Sequence, residues 1–507
     1  MLRKFRLKLV YGFIFSLFIH AFSFAMAKEI NIPSQFGSTK EIFQPANPGP
    51  SAERTIIHIQ DAHCNYEAQK NMAQLLDYLA KDDNLKLIMV EGGSGDVSLR
   101  FLRGYADKKA REQVAEKYLK AGKISGEEYL DIVSDHAIEL YGIEDEGLYE
   151  AHLASFQKVD SFRQKALQDL GALAGIVNGL KSRIYPEDLR RLDEQKSSYE
   201  GQKTALAEYC RFLNNTAAKK RIGLGAYPHL GAFSETARLE KELDLRQAEA
   251  QRNAFIKDLA KLLNEREAQN LILMTQGFKA KMITPEKYYS FLLDTATEQK
   301  INLSRRYPEL GAYIRYVTTS GNVDAAELLK EVNAAEEKIK DASLSSPEQK
   351  KLSEIDKSLH ILTKILNLEL TPEDYAYFKE NTRRFMTAGW IGFLNEECDK
   401  YNFSTRPFFV KAIDENLKEL DGFYRLGVAR EEAFINNLAA KLDDSKEKTA
   451  ALITGGFHTP GITRNLKNRG YSYIVVTPVI TQKSEPDLYF SVLRSEKRQP
   501  VRVSDEE

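Results

Sequence analysis

Thr55-Ile56-Ile57-His58-Ile59-Gln60-Asp61-Ala62-His63 is a short β-branched run that stops on ionisable residues. Such runs, bounded by polar positions, are how buried strands of a parallel sheet appear in a sequence. Leu85-Lys86-Leu87-Ile88-Met89-Val90-Glu91-Gly92-Gly93 has the same design and ends on a carboxylate. Far along the chain, Ala450-Ala451-Leu452-Ile453-Thr454-Gly455-Gly456-Phe457-His458 ends on two glycines and a histidine, with Thr459-Pro460-Gly461-Ile462 following. The carboxyl ends of parallel strands converge on one crevice, where open α/β sheets bind their ligands. His63, Glu91 and His458 are therefore placed for chemistry rather than packing.

Two further strand-like runs, 137–145 and 473–477, alternate with helical segments around Glu67 to Leu79 and over roughly 98–133. Strands alternating with helices predict an α/β fold, a wound and mostly parallel sheet with flanking helices. From about 148 the chain becomes charged, helical and strand-poor, which predicts a large all-helical insertion over 148–426. Within it, Leu352, Ile355, Leu359, Leu362 and Leu366 recur at spacings of three and four, as do Ala166, Leu170, Leu173, Val177 and Leu180. Two short seams of this kind point to helices packed on each other more than to an oligomerising coiled coil. Ser125-Gly126-Glu127-Glu128, Thr284-Pro285-Glu286 and Thr371-Pro372-Glu373 are helix starts, with a hydroxyl N-cap followed by acids and, in two of them, proline. The α/β core then divides into 55–147 and 427–485, with 486–507 as a C-terminal tail.

The chain has 507 residues, 43% hydrophobic and 29% charged, with a net charge of −1. That balance gives no electrostatic case for nucleic acid or an anionic membrane surface as partner. Arg3, Lys4, Arg6 and Lys8 precede an apolar stretch from Leu9 to Ala25, and Ala25-Met26-Ala27 is a small-x-small site. This predicts a signal peptide over 1–27 cut after Ala27, a secreted or periplasmic protein, and no stable membrane span after cleavage. Residues 28–54, with Pro33, Pro45, Pro48 and Pro50, are expected to form an extended leader without regular structure. Cys64, Cys210 and Cys398 are too few for a disulfide framework, and the sequence leaves any pairing open.

Asp61, His63, Glu91 and His458 make the central chemical expectation. Two imidazoles with carboxylates suit a divalent metal such as zinc, manganese or cobalt, which lowers the pKa of bound water. Without metal, the same set is a base with its orienting carboxylate. A single histidine at a strand end is more often structural, but three strand ends carrying such residues shift the balance toward a site. Arg430, opening a helix that leads into the third run, is expected to bind a carboxylate or stabilise an oxyanion. His58, inside its apolar run, suits a hydrogen-bonded core position. Glu144 and Asp145 end the 137–145 run and stand equally well for the site or an ordinary turn. His136, His152, His229 and His360 have no comparable setting.

These elements resemble a superfamily that contains erythromycin esterases, TraB/TIKI-type proteins and ChaN-like proteins. The resemblance rests on Gln60-Asp61-Ala62-His63, on Val90-Glu91, on the Arg-Glu helix at Arg430, and on Gly455-Gly456-Phe457-His458 with Gly470-Tyr471 downstream. It covers about 55–100, 137–147 and 427–480. The first element departs from the TraB/TIKI form, which usually has Gly-Thr-x-His. The resemblance implies an α/β core of paired halves with a His/Glu/His site in His63, Glu91 and His458, and Arg430 beside it. Members include metal-dependent peptidases, macrolide-ring hydrolases and haem-binding proteins. The resulting expectation is an exported hydrolase acting on a small-molecule or peptide substrate through an ester, lactone or peptide bond. The alternatives are a ChaN-like binder of haem or another ligand, and a non-catalytic protein that self-associates through its helical insertion.

Overall fold

The computed structural model describes residues 30, 32–45, 50–201, 203–280, 282–321, 323, 325–481 and 486–495. The expected signal peptide lies outside them. Seven strands, β1 (Gly37–Phe43), β2 (Thr55–Asp61), β3 (Leu87–Val90), β4 (Ser94–Asp96), β5 (Glu139–Ile143), β6 (Thr449–Gly455) and β7 (Ser472–Pro478), form one sheet in the order β1-β7-β2-β6-β3-β5-β4. The five central strands run parallel, and the outer strands β1 and β4 pair antiparallel with β7 and β5. The fold is thus an α/β sheet, mostly parallel, with flanking helices and a large helical region.

The side-chain period of two divides the strand residues between the two faces. Ile57, Ile59, Ile88, Val90 and Ile453 bury against Met72, Leu75, Leu76 and Leu79 of helix α1 (Tyr66–Asp82). Ile56, Met89, Leu452 and Val475 bury on the other face against Phe434, Ile435, Leu438 and Leu442 of helix α4 (Leu417–Ser445) and Ile462 and Leu466 of helix α5 (Thr459–Asn468). Both faces are covered, so strands β2, β3 and β6 read as near-continuous apolar runs.

The expectation of an irregular leader over 28–54 is corrected by β1. Its prolines flank the segment Gly37–Phe43 rather than interrupt it, and at a sheet edge only one side of the strand needs its ladder bonds. A 3-10 turn, Pro50–Glu53, follows. The C-terminal tail likewise contains a helix, Pro486–Ser495 (α6).

The chain divides into two compact units, one running up to Gln157 and resuming at Phe423, the other Lys158–Gly422. The second is narrower at both ends than 148–426. Its described residues form helices and no strand, and one of its cores gathers Phe255, Tyr288, Leu292, Leu310 and Ile314. Every leucine and isoleucine of the 352–366 seam is buried, as is every residue of the 166–180 seam. The guanidinium of Arg163 donates from Nε to the Leu366 carbonyl at 2.7 Å, so the two seam-bearing helices pack on one another within the chain. Ser125, Thr284 and Thr371 are N-caps, the first closing a capping box with Glu128 of helix α2 (Gly126–Val133). All three cysteines are free thiols. No helix among the described residues is long and apolar enough to cross a membrane.

Candidate active site

Strand order brings distant sequence together. β6 lies between β2 and β3, with Asp61 level with Gly455 and Val90 level with Ile453. The residues just past the ends of these three strands are therefore neighbours across a sheet spacing of about 5 Å. His63, Glu91 and His458 share one crevice for that reason.

His63 is gripped from one side. Its Nδ1 lies 2.5 Å from Asp61 Oδ2, and the other Asp61 oxygen accepts from Gln69 Nε2 at 2.6 Å. With Nδ1 committed, Nε2 turns toward β6. A Cβ at position 455 would sit 3.2 Å from that nitrogen and 3.7 Å from Glu91 Oε2, so glycine is what lets both groups close over the backbone. The ring of Tyr489, from α6, stacks on the imidazole with centroids 5.5 Å apart and planes 7° from parallel. Protein atoms crowd the ring, yet 37% of the His63 side chain stays open to solvent. Burial alone would lower its pKa, but the charge and hydrogen bond of Asp61, with Glu91 behind, raise it to about 9.

Glu91 sits at the centre. Its Oε2 accepts from the Gly455 N–H at 2.8 Å and its Oε1 from Arg430 Nη2 at 2.8 Å. Burial would raise its pKa; Arg430, His458 and His63 outweigh that and hold it well below the usual carboxylate range. Arg430 is 4% exposed. It donates to both oxygens of Glu144, the Nε bond being 3.1 Å, and from Nη1 to His152 Nδ1 at 2.9 Å. His152 must accept that bond, so it is neutral. Burial and then the adjacent guanidinium push its pKa down to about 3. Burial raises the pKa of Glu144 ahead of the pull from Arg430.

His458 follows β6 in a single 3-10 turn, Gly456–His458. Its Nε2 is 3.6 Å from Glu91 Oε1 and its Nδ1 is 3.4 Å from Glu431 Oε1. Phe434 and Phe457 meet its ring edge-on, at 80° and 81°. The Glu431 carboxylate rests against Gly461, where a Cβ would fall 1.7 Å from Oε2. Two carboxylate–imidazole pairs, Asp61–His63 and Glu431–His458, thus flank one ionised glutamate. His58 is a fully buried core histidine bonded through Nε2 to Thr454 Oγ1 at 3.1 Å.

All five residues singled out by the sequence, Asp61, His63, Glu91, Arg430 and His458, meet here. Glu144 joins them rather than forming a solvated turn. His152 is a residue the sequence reading passed over; it reaches the site from helix α3 (Glu146–Ile184) only through tertiary packing. Glu431 and Gln69 were also missed, although the adjacency of Glu431 to Arg430 was a usable signal. As arranged, these side chains are spent on each other. Both Asp61 oxygens and both Glu91 oxygens have protein partners, and a guanidinium stands beside Glu91 where a dication would add more positive charge. Among the described residues no group of three or more His, Cys, Asp or Glu side chains is set to hold a metal ion. The set does not fit a divalent metal, and no step below runs through one. No family model, curated protein or solved structure matches the chain.

Proposed function

We propose that this crevice is hydrolytic and that His63 activates water directly, against an ester, lactone or peptide bond of a substrate met outside the cytoplasm. The observation that supports this best is the Asp61–His63 pair, 2.5 Å apart, with Nε2 turned toward Glu91 over Gly455. A carboxylate on Nδ1 fixes the tautomer and stabilises the imidazolium that forms when Nε2 takes a proton. In this reading a water between Nε2 and Glu91 loses a proton to His63 while its oxygen bonds to the carbonyl carbon. As the tetrahedral adduct collapses, the bond to the leaving group breaks and His63 returns the proton to it. Glu91, kept ionised by Arg430, accepts the second hydrogen of the water and orients it. Arg430, whose donors go to Glu91, Glu144 and His152, acts through Glu91 rather than on the substrate.

The test is hydrolysis of an ester, lactone and peptide panel by the wild type, His63→Ala and His458→Ala. Loss of His63 is expected to cut kcat by roughly 10²–10⁴-fold with an unchanged far-UV CD spectrum. Only neutral imidazole accepts a proton, so kcat/KM should rise with pH and level off above about 9, the pKa of His63. In Asp61→Asn the rising limb should move to lower pH. A limb that falls through pH 9 would show the imidazolium to be the active form and sink the base assignment. Near-stoichiometric metal in the purified protein, lost in both histidine variants, would overturn the metal-free mechanism.

A further inference from the structure

Within the helical unit, the helices Leu245–Leu259, Glu265–Lys279 and Pro285–Glu298 meet around a cavity of about 400 Å³. Arg252 and Lys257 line it from the first helix, Thr275, Phe278 and Lys279 from the second, and Tyr288 from the third. The rings of Phe278 and Tyr288 stack face to face, with centroids 4.3 Å apart and planes 6° from parallel. Tyr289 meets both edge-on, at 76° and 71°. Tyr288 is buried, so the half-buried Phe278 presents the aromatic surface.

Every polar side chain on this lining can donate a hydrogen bond, and none is a carboxylate. The guanidinium of Arg252 is fixed in place, donating from Nη1 to Tyr289 Oη at 3.0 Å and from Nη2 to Glu249 at 2.8 Å. Glu249, which is not on the lining, offsets that one charge. Lys257 and Lys279 are exposed and pair with no carboxylate among the described residues. Their own helices offer none three or four positions away, where Lys257 meets Asn253, Ala254, Ala260 and Lys261, and Lys279 meets Thr275 and Gln276. Each lysine lies in a last helical turn, where a cation suits the negative end of the helix. That accounts for either one singly. It does not account for both converging with a mid-helix arginine on one concave surface, where charges of a single sign reinforce each other. Thr275 Oγ1 and Tyr288 Oη bond to each other at 3.3 Å. Whichever donates, the second hydroxyl hydrogen is left for another acceptor.

We propose that this cavity binds a small aryl phosphate, with its ring against Phe278 and its phosphoryl oxygens met by Lys257 and Lys279. Two ammonium charges without a carboxylate suit a dianion better than a singly charged acid. Arg252, already held by Tyr289, adds its field without having to be ordered on binding. Ligand cavities run from about 300 to 1,000 Å³, so one near the lower end suits a single ring with its anionic group. No residue of the His63 crevice takes part, and the site does not depend on the hydrolytic reading.

The test is equilibrium dialysis of the full chain against phenylphosphonate, whose carbon–phosphorus bond a hydrolase of esters or amides leaves intact, at a pH where it is doubly charged. One molecule should bind per chain, and less tightly as salt is raised. Lys257→Gln/Lys279→Gln should weaken binding by about tenfold or more, with the melting temperature unchanged because both side chains are exposed. Phenol keeps the ring without the charge, inorganic phosphate keeps the charge without the ring, and benzoate carries one charge in place of two. All three should bind less tightly than phenylphosphonate. No binding of phenylphosphonate, equal affinity for any of the three, or unchanged affinity in the lysine variant would overturn the proposal. His63→Ala should bind as the wild type does. Loss of binding there would put the ligand in the crevice and sink the cavity assignment, whatever the protein hydrolyses.

Discussion

Arg430 shows how one side chain can be legible in place and illegible in role. Its position near the crevice follows from a helix that leads into β6, and a free guanidinium there would suit an anionic substrate. Folding instead gives its donors to Glu91, Glu144 and His152. It is the counter-ion that allows two carboxylates to share a buried pocket. Removing one member of a buried ion network leaves the others uncompensated, so Arg430→Met should cost about 3–5 kcal/mol of stability, measured by urea denaturation. An unchanged midpoint would show that the two glutamates find other partners. His63, Glu91 and His458 were legible because each ends an apolar run, a signal confined to a few adjacent residues. His152 and Glu431 lie on helices, and which face of a helix meets the crevice is fixed by packing from other parts of the chain. No local pattern encodes that.

At the level of elements, the same division holds. Strands β2, β3, β5, β6 and β7 are buried on both faces and stand out as apolar runs. β1 has only two of its seven residues in a clearly apolar register and sits among prolines, and β4 is the three-residue Ser94–Asp96. Edge strands of this kind have little burial to advertise. Helix α5 carries a constraint of its own, because Gly461 leaves the space that the Glu431 carboxylate fills. Gly461→Ala should drive that carboxylate off His458 Nδ1, at an overpacking cost of about 1–3 kcal/mol. Thermal melting should show the loss, and hydrolysis should fall with it. Shortening the partner in Glu431→Ala/Gly461→Ala should restore the melting temperature without restoring hydrolysis. Recovery of both would mean that Glu431 does nothing for His458.

For the molecule as a whole, the crevice sets a characteristic response to acid. His58 and His152 are held neutral, with pKa values lowered by burial to about 3, whereas unfolded histidine titrates near 6.5. Groups with depressed folded pKa values contribute stability above the unfolded value, and that contribution is lost as pH falls toward the folded one. Glu91 acts in the same direction below about 4.5. Glu127 acts oppositely, its contribution being complete below about 4.5 and lost as pH rises through about 8. The clean window is therefore below pH 4.5, where stability should drop steeply. Replacing His58 by Leu together with Thr454→Val removes one such proton and should move the acid midpoint, followed by circular dichroism, to lower pH. A midpoint that stays put would show His58 to be uninvolved. The place of β6 has a consequence in time as well as space. A ribosome delivers Thr55–Asp61 and Leu87–Val90 long before Thr449–Gly455, and the two early strands flank a gap that only the late one fills. Contacts of such high sequence separation form slowly. The helical unit, complete within one uninterrupted stretch, has no such wait. A chain released short of β6 would hold the early strands with their inner edges unpaired, exposed to any other strand that meets them.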